Sequence, residues 1–332
     1  MIQELRIEVN KGCNFACVHC YTDKKGPKPL GLDRFIETIR DAAAEGATDL
    51  SLTGGEPLLD MNRTLALVRA GADAGMTVRL NTNGMLLTED RILSLKEAGV
   101  TEFQISLHSP DAERFDAFVQ RRGAFGRVTD GIVGAIAHGL VVTARYTLMA
   151  GNISDLLPTF RYAEGCGVHK FKVRALVQVS GIHEEGWAHS HEQLRNALSE
   201  LAEEARTSRM KLYIADGGVG FRPDGTGNCS YMHCKCGTQA LFVGSDGDIA
   251  PCPFLREEES FSLGNLEEHD LLEISATSER LKEFIGNHTS HLGGNECTYS
   301  CRAAELALEL EERKALVEIA QLLPAERPVV VA

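Results

Sequence analysis

Between residues 5 and 175, short runs of β-branched and apolar residues alternate with helix-patterned segments, and this alternation restricts the chain more than any other feature. A β-run, a helix and a second β-run in succession make a crossover unit, whose two strands lie parallel in one sheet with the helix packed across it. Strand candidates are Leu5 to Asn10, Asp49 to Thr53, Thr77 to Asn81, Phe103 to His108, Val141 to Met149 and Lys170 to Ala175. Among the helices between them, one carries Phe35, Ile36, Ile39 and Ala43 at helical spacing. Another starts from Thr88 as N-cap, with Glu89 and Asp90 in its first turn, and stops at Gly99. Ser109-Pro110 caps and starts a third. Six such units predict an α/β fold, a curved, parallel (β/α)6 partial barrel, whose chemistry gathers at the C-terminal ends of its strands.

Directly after the first strand stand Cys13, Cys17 and Cys20, spaced C-x3-C-x2-C. Three thiolates on one loop can hold three irons of a [4Fe-4S] cluster and leave the fourth iron open to a ligand. A structural zinc knot prefers four ligands with paired cysteines, and a disulfide loop belongs to oxidising compartments, so the spacing favours the cluster over both. The N-terminus, Met1-Ile2-Gln3-Glu4, has no basic segment followed by an apolar stretch. A cytoplasmic protein is expected, in which ten cysteines are metal ligands or reactive thiols. The net charge of -13 is spread through the helices without a Lys/Arg run, which argues against nucleic acid as a partner; no apolar run is long enough to span a membrane.

The ends of the later strands carry further polar groups. Gly54-Gly55-Glu56 follows the second strand; its glycines permit close backbone approach, and Glu56 offers a carboxylate at the barrel mouth. Asn83 lies in the turn after the third strand, Ser106 and His108 end the fourth, and Arg145 is on the fifth, where a guanidinium can pair with a carboxylate in bidentate fashion. His108 is a candidate for substrate contact.

The last third contains a second cysteine-rich region. Cys236 and Cys252 flank Leu241-Phe242-Val243, Ser245-Asp246-Gly247 and Asp248-Ile249-Ala250, which predicts a β-hairpin bringing the two thiols together. Cys297 and Cys301 follow a polar loop, so four thiols can converge on one centre, iron–sulfur or zinc. Cys229 and Cys234 flank Ser230-Tyr231-Met232-His233; each is read as a catalytic hydrogen-atom donor, a substitute cluster ligand or a buried thiol. Residues 182–209 are expected to be helical, with Trp187, Leu194, Leu198 and Leu201 on the buried side, and residues 302–323 form an amphipathic helix.

The cysteine triplet, with the aromatic His19 before its third member, and the Gly-Gly-Glu loop that follows resemble the signature of the radical S-adenosylmethionine (radical SAM) superfamily. The C-x(9-15)-G-x4-C element ending on Cys252, with its later cysteine pair, resembles the SPASM extension; because a C-x2-C-x5-C segment is lacking, the shorter twitch form is the nearer match. The resemblance implies a [4Fe-4S] cluster with an open iron on Cys13, Cys17 and Cys20, and S-adenosylmethionine (SAM) bound by His19, Gly54, Gly55, Glu56, Asn83, Ser106 and Arg145. It also implies a second, auxiliary [4Fe-4S] cluster on Cys236, Cys252, Cys297 and Cys301, and an electron donor of flavodoxin or ferredoxin type. The implied domains are a barrel over residues 1–210, a twitch domain over 211–305 and a C-terminal helix and tail over 306–332. The implied activity is cleavage of SAM to a 5'-deoxyadenosyl radical that abstracts hydrogen from a substrate. A chain with few long loops and no segment of roughly 80 residues ahead of the first strand points away from a leader-dependent peptide. Polar candidates at the mouth, His108, Arg174, His183, Glu184, Glu185 and His189, suit a sugar or nucleoside in natural-product (antibiotic) biosynthesis; a short peptide is the alternative substrate.

Overall fold

Strand β1, Glu4–Glu8, shows how the sheet is built. Leu5, Ile7 and the following Val9 are fully buried in the apolar core. Glu4, Arg6 and Glu8 face the opposite side, because successive side chains of a strand alternate. The computed structural model describes residues 2–22, 29–176, 191–215, 227–232, 234–256 and 258–290. Within them β2 (Asp49–Thr53), β3 (Thr77–Thr82), β4 (Glu102–Ser106), β5 (Val141–Leu148) and β6 (Lys170–Ala175) follow β1 side by side, each parallel to the last. All six strand candidates are strands, with ends shifted by no more than two residues.

The outer layer is helical: α1 (Leu32–Ala44), α2 (Met61–Asp73), α3 (Glu89–Ala98), α4 (Ala112–Val119), α5 (Ala124–Ala137) and α6 (Leu156–Gly165). Each buries one stripe against the sheet; α1 uses Phe35 and Ile39, α5 uses Val128 and Ile132, and α6 uses Phe160. Two cap assignments need correction. Thr88 occupies the N-cap of α3 without bonding its side chain to the first turn. Helix α4 starts two residues after Pro110, with Asp111 accepting from the Arg114 N–H at 2.9 Å, while Ser109 Oγ accepts from the Asp111 N–H.

The sheet does not stop at six strands. Helix α7 (His191–Ala205) buries Leu194, Leu198 and Leu201 as their spacing predicts, and leads into β7 (Lys211–Ala215), parallel to β6; β8 (Cys229–Tyr231) adds in parallel beyond it. The sheet therefore runs on across the boundary expected at residue 210. On its other edge the predicted hairpin forms from β9 (Ala240–Val243) and β10 (Asp248–Ala250), with Gly247 in the left-handed region at φ 89°. Strand β9 pairs in parallel with β1, and β11 (Gly264–Asn265) pairs with β10. The order β11-β10-β9-β1-β2-β3-β4-β5-β6-β7-β8 makes one mixed sheet of eleven strands among the described residues. Helices α8 (Leu271–Thr277) and α9 (Glu279–Ser290) close the described part. Trp187, His183, Glu184, Glu185, His189, Cys297, Cys301 and the helix expected over 302–323 lie outside the described residues.

Candidate functional site

The lumen of the partial barrel is lined by the strand positions that alternate with the core. At its floor every charge has a partner: Arg6 pairs with Glu4 at 2.9 Å, Arg79 with Asp49 at 2.5 Å and Lys170 with Glu102 at 2.6 Å. Toward the C-terminal ends the lining becomes Asn81, Ser106, His108, Arg145, Lys172 and Arg174, with Ser106 beside Arg145 and Arg145 beside Lys172 in strand register.

Above this mouth sits the loop of Cys13, Cys17 and Cys20, and it is fastened to the Gly-Gly-Glu loop by backbone. The parallel pairing of β1 and β2 continues past both strand ends: Val9 N–H donates to Thr53 O, Gly55 N–H to Asn10 O at 2.8 Å and Glu56 N–H to Gly12 O at 2.7 Å. A Cβ on Gly55 would stand 2.1 Å from Gly12 O, and one on Gly54, whose φ is 148°, would stand 2.4 Å from Asn10 O. These glycines are needed for the approach of one loop to the other.

Glu56, expected as an open carboxylate at the mouth, is fully buried. It accepts from Thr82 Oγ1 at 2.7 Å, from the Asn83 N–H at 2.7 Å and from the Leu58 N–H at 3.0 Å. Burial pushes its acid pKa up, against those three donors and Arg91. In this geometry Glu56 braces the turn after β3. That turn reaches the cysteine loop through Asn83, whose Nδ2 donates to Asn14 Oδ1 at 2.7 Å and lies 3.8 Å from Cys13 Sγ.

His19, His108 and Phe118 form an aromatic cluster beside the loop, with ring centroids 5.0 Å apart for the two histidines and 4.4 Å for His108 and Phe118. His108 Nδ1 accepts from the Thr147 N–H at 3.3 Å, so Nε2 carries its proton. Burial, then the neighbouring His19 and Arg145, holds His108 well below the ordinary imidazole range; burial and Arg145 push His19 down to about 4. Both rings are neutral at neutral pH. Arg145 donates to Asn81 Oδ1 at 2.5 Å and is pushed down to about 10 by burial and the nearby Arg174, which leaves it charged.

The second cysteine group lies close by. Cys236 and Cys252 are both buried and belong to one small apolar cluster with Leu255 and Phe284, against which Cys234 packs. Hydrogen bonds from Cys234 and Cys252, then the charges of Arg6 and Arg174, hold the Cys236 thiol well below its ordinary range against burial. Arg6 donates to Cys236 Sγ at 3.3 Å. Cys229 is placed differently: it pairs in register with Leu212 and joins the apolar core behind the sheet, so the fold does not aim it into the lumen as a hydrogen donor. Sequence reasoning missed Tyr21, whose ring lies 4.7 Å from that of Phe254 and links the first cysteine loop to the segment after Cys252. It also missed Arg6 and Lys172, whose only signal was a charge at alternate positions of an otherwise apolar strand.

Comparison with known proteins agrees with this geometry. The radical SAM superfamily model matches residues 7–163, and that of an iron-sulfur cluster-binding domain, SPASM, matches residues 234–302. A probable GTP 3',8-cyclase of Methanocella arvoryzae is 30% identical over 266 residues, covering 76% of this chain and 81% of the relative. The chain belongs to the radical SAM superfamily. An AdoMet-dependent heme synthase of Methanosarcina barkeri is 29% identical over 290 residues, 82% of this chain and 81% of that one. The fold is similar to Streptococcus suis SuiB bound to S-adenosylmethionine, with a TM-score of 0.74 at 16% identity, over 91% of this chain and 73% of SuiB.

This radical SAM protein is an enzyme, with SAM, a [4Fe-4S] cluster and an auxiliary iron–sulfur cluster as its cofactors. The residues present fit those groups. Three thiols share one loop at the mouth, and the Phe15 N–H donates to Cys13 Sγ at 3.4 Å, as a cluster thiolate needs. Among the described residues no three His, Cys, Asp or Glu side chains converge on a single metal ion. No helix of the described residues is long and apolar enough to cross a membrane.

Proposed function

We propose that this radical SAM enzyme abstracts hydrogen from a small polar metabolite, nucleoside- or carbohydrate-like, held in the barrel mouth beneath the cysteine loop; a natural-product pathway is the setting this reading favours. Bound SAM supplies the chemistry by reductive cleavage to a 5'-deoxyadenosyl radical. In this reading Cys13, Cys17 and Cys20 hold the first cluster, Arg145 takes the SAM carboxylate and Ser106 the ribose. Asn83 and Glu56 act one step removed, by fixing the turn against the cysteine loop. Cys236 and Cys252, joined by Cys297 and Cys301, hold the auxiliary cluster, with Cys234 beside them as an alternative ligand.

The observation that carries the reading is the polar lining left at the mouth beside the SAM contacts, Lys172 and Arg174 on one face of β6, with Lys172 in register with Arg145 of β5. Such a surface suits a hydroxyl- or charge-bearing molecule more than apolar side chains of a peptide. Curated relatives named for heme synthesis and GTP cyclisation add support for a small-molecule substrate.

Anaerobic reconstitution tests this. About eight irons per chain and 5'-deoxyadenosine formed with SAM and dithionite are expected. Incubation with deuterated nucleosides and sugars should then place deuterium in 5'-deoxyadenosine. Deuterium transfer from a candidate peptide and from no small molecule would overturn the assignment.

A further inference from the structure

Charge in the barrel is distributed in two layers. Each floor cation has its carboxylate, as described above. At the mouth, Arg145, Lys172 and Arg174 crowd together, and among the described residues none has a carboxylate within ion-pair distance. Arg145 leans on neutral Asn81, and Arg174 lies over the ring of Phe254 at 5.6 Å. Lys172 faces the lumen between Phe171 and Val173, which are fully buried in the core. This positive pocket sits in a chain of net charge -13, so it is not a sample of the general surface.

Several like charges drawn out of water with no carboxylate in contact, only the more distant Glu4 and the Cys236 thiol acting on them, are unfavourable for folding, and such an arrangement marks a site whose counter-ions arrive with ligands. Burial and the neighbouring guanidinium groups of Arg145, Arg174 and Arg6 press the Lys172 ammonium well below its ordinary range, with the Glu4 carboxylate opposing them only in part. The SAM carboxylate answers one of the three cations, Arg145, on the reading above. Lys172 and Arg174 remain. They are alternate residues of β6, roughly 6.5 Å apart along the strand, on the same face.

We propose that Lys172 and Arg174 form the recognition site for an acidic group on the substrate, a carboxylate or a phosphate. The proposal rests on the SAM-dependent reading and narrows its substrate to an anionic metabolite. Arg174 offers the planar fork that matches such a group in bidentate fashion, and Lys172 a point charge below it. The site also rejects neutral analogues, because they leave the Arg174 guanidinium without an anion and give Lys172 nothing to hold its proton.

The test uses the full chain, anaerobically reconstituted and saturated with SAM, and measures binding of inorganic pyrophosphate and of succinate by calorimetry at low ionic strength. Wild type is expected to bind one of the two, which separates a phosphate from a carboxylate site. Lys172→Met and Arg174→Gln should each weaken that binding by at least about tenfold while leaving SAM affinity within about twofold. Lys172→Met should also raise the thermal midpoint of the unloaded protein, whereas removing a merely structural lysine would lower it.

The proposal fails if SAM-loaded wild type binds neither probe, if the variants bind as wild type does, or if SAM and the probe compete. It fails too if the variants alter the spectrum of the auxiliary iron–sulfur centre with probe affinity unchanged, which would make that cluster the counter-ion. Absence of SAM binding or of deoxyadenosine in wild type would end the SAM-dependent reading, while a probe affinity lost in the variants would still establish the anion site.

Discussion

His108 illustrates how one residue's environment fixes its chemistry. Its Nδ1 is committed to the Thr147 N–H, so adding a proton there would set two donors against each other. The ring is 2% exposed and packed between His19, Phe118 and Tyr146, with Arg145 adding positive charge. Its folded pKa is therefore depressed below the unfolded value of about 6.5. Below that pH the unfolded chain binds the extra proton and the native chain does not. Unfolding free energy should thus fall as pH drops below about 6.5, by up to roughly 1 kcal/mol per pH unit from this side chain. Urea unfolding of the cofactor-free protein at pH 7 and pH 5, repeated on His108→Phe, checks it; a variant with the same pH dependence as wild type would show that another group is responsible.

At the scale of elements, the junction of the cysteine loop with the Gly-Gly-Glu loop governs the site. The strand pairing of β1 and β2 runs on into both loops, so the thiols are positioned by the sheet. Gly55→Ala would drive a methyl into the Gly12 carbonyl, where backbone cannot yield cheaply. A loss on the order of 1–3 kcal/mol is expected. More telling is the expected iron content after reconstitution: roughly half is retained, because Cys236 and Cys252, the proposed auxiliary ligands among the described residues, stand apart from this loop. Full iron and unchanged deoxyadenosine yield in this variant would mean that the loop tolerates the shift.

Across the molecule, the hairpin region is tied to the barrel by more than the β1–β9 pairing. Glu8, with no exposed surface, accepts from Ser245 N–H and Oγ at 3.2 and 3.1 Å and is paired with Arg256, whose guanidinium lies over Phe242. Arg256 follows Cys252 and Phe254, so this ion pair ties the segment carrying Cys252 to the first strand. Arg256→Ala would leave a buried carboxylate without its cation, with an expected cost of about 3–5 kcal/mol. Replacing Glu8 and Arg256 together by Gln and Met should recover much of that loss. Equal destabilisation by the single and double changes would show that the pair's charge is not what matters.

What the sequence by itself determined was whatever repeats along the chain or sits within one short stretch. Apolar periodicity located the six strands and the helices α1 and α3, since burial on one face is written into consecutive residues. The spacing of Cys13, Cys17 and Cys20 carried the cluster chemistry, and Asp246-Gly247 carried the hairpin. Tertiary structure decided the rest, because it depends on residues far apart in sequence. Strand β8 is only three residues long and gains its place from pairing onto β7, which itself pairs onto β6. Glu56 looks like an open acid in a Gly-Gly-Glu turn until β3 brings Thr82 and Asn83 onto it. Cys229 and Cys234 are five residues apart, yet Cys229, in register with Leu212 on β8, faces the apolar layer, while Cys234, beyond the strand's end, packs against the cluster of Cys236 and Cys252. The cations Arg145, Lys172 and Arg174 read as scattered charges on two strands; only the parallel alignment of β5 with β6 gathers them at one mouth, where among the described residues none is in an ion pair with a carboxylate.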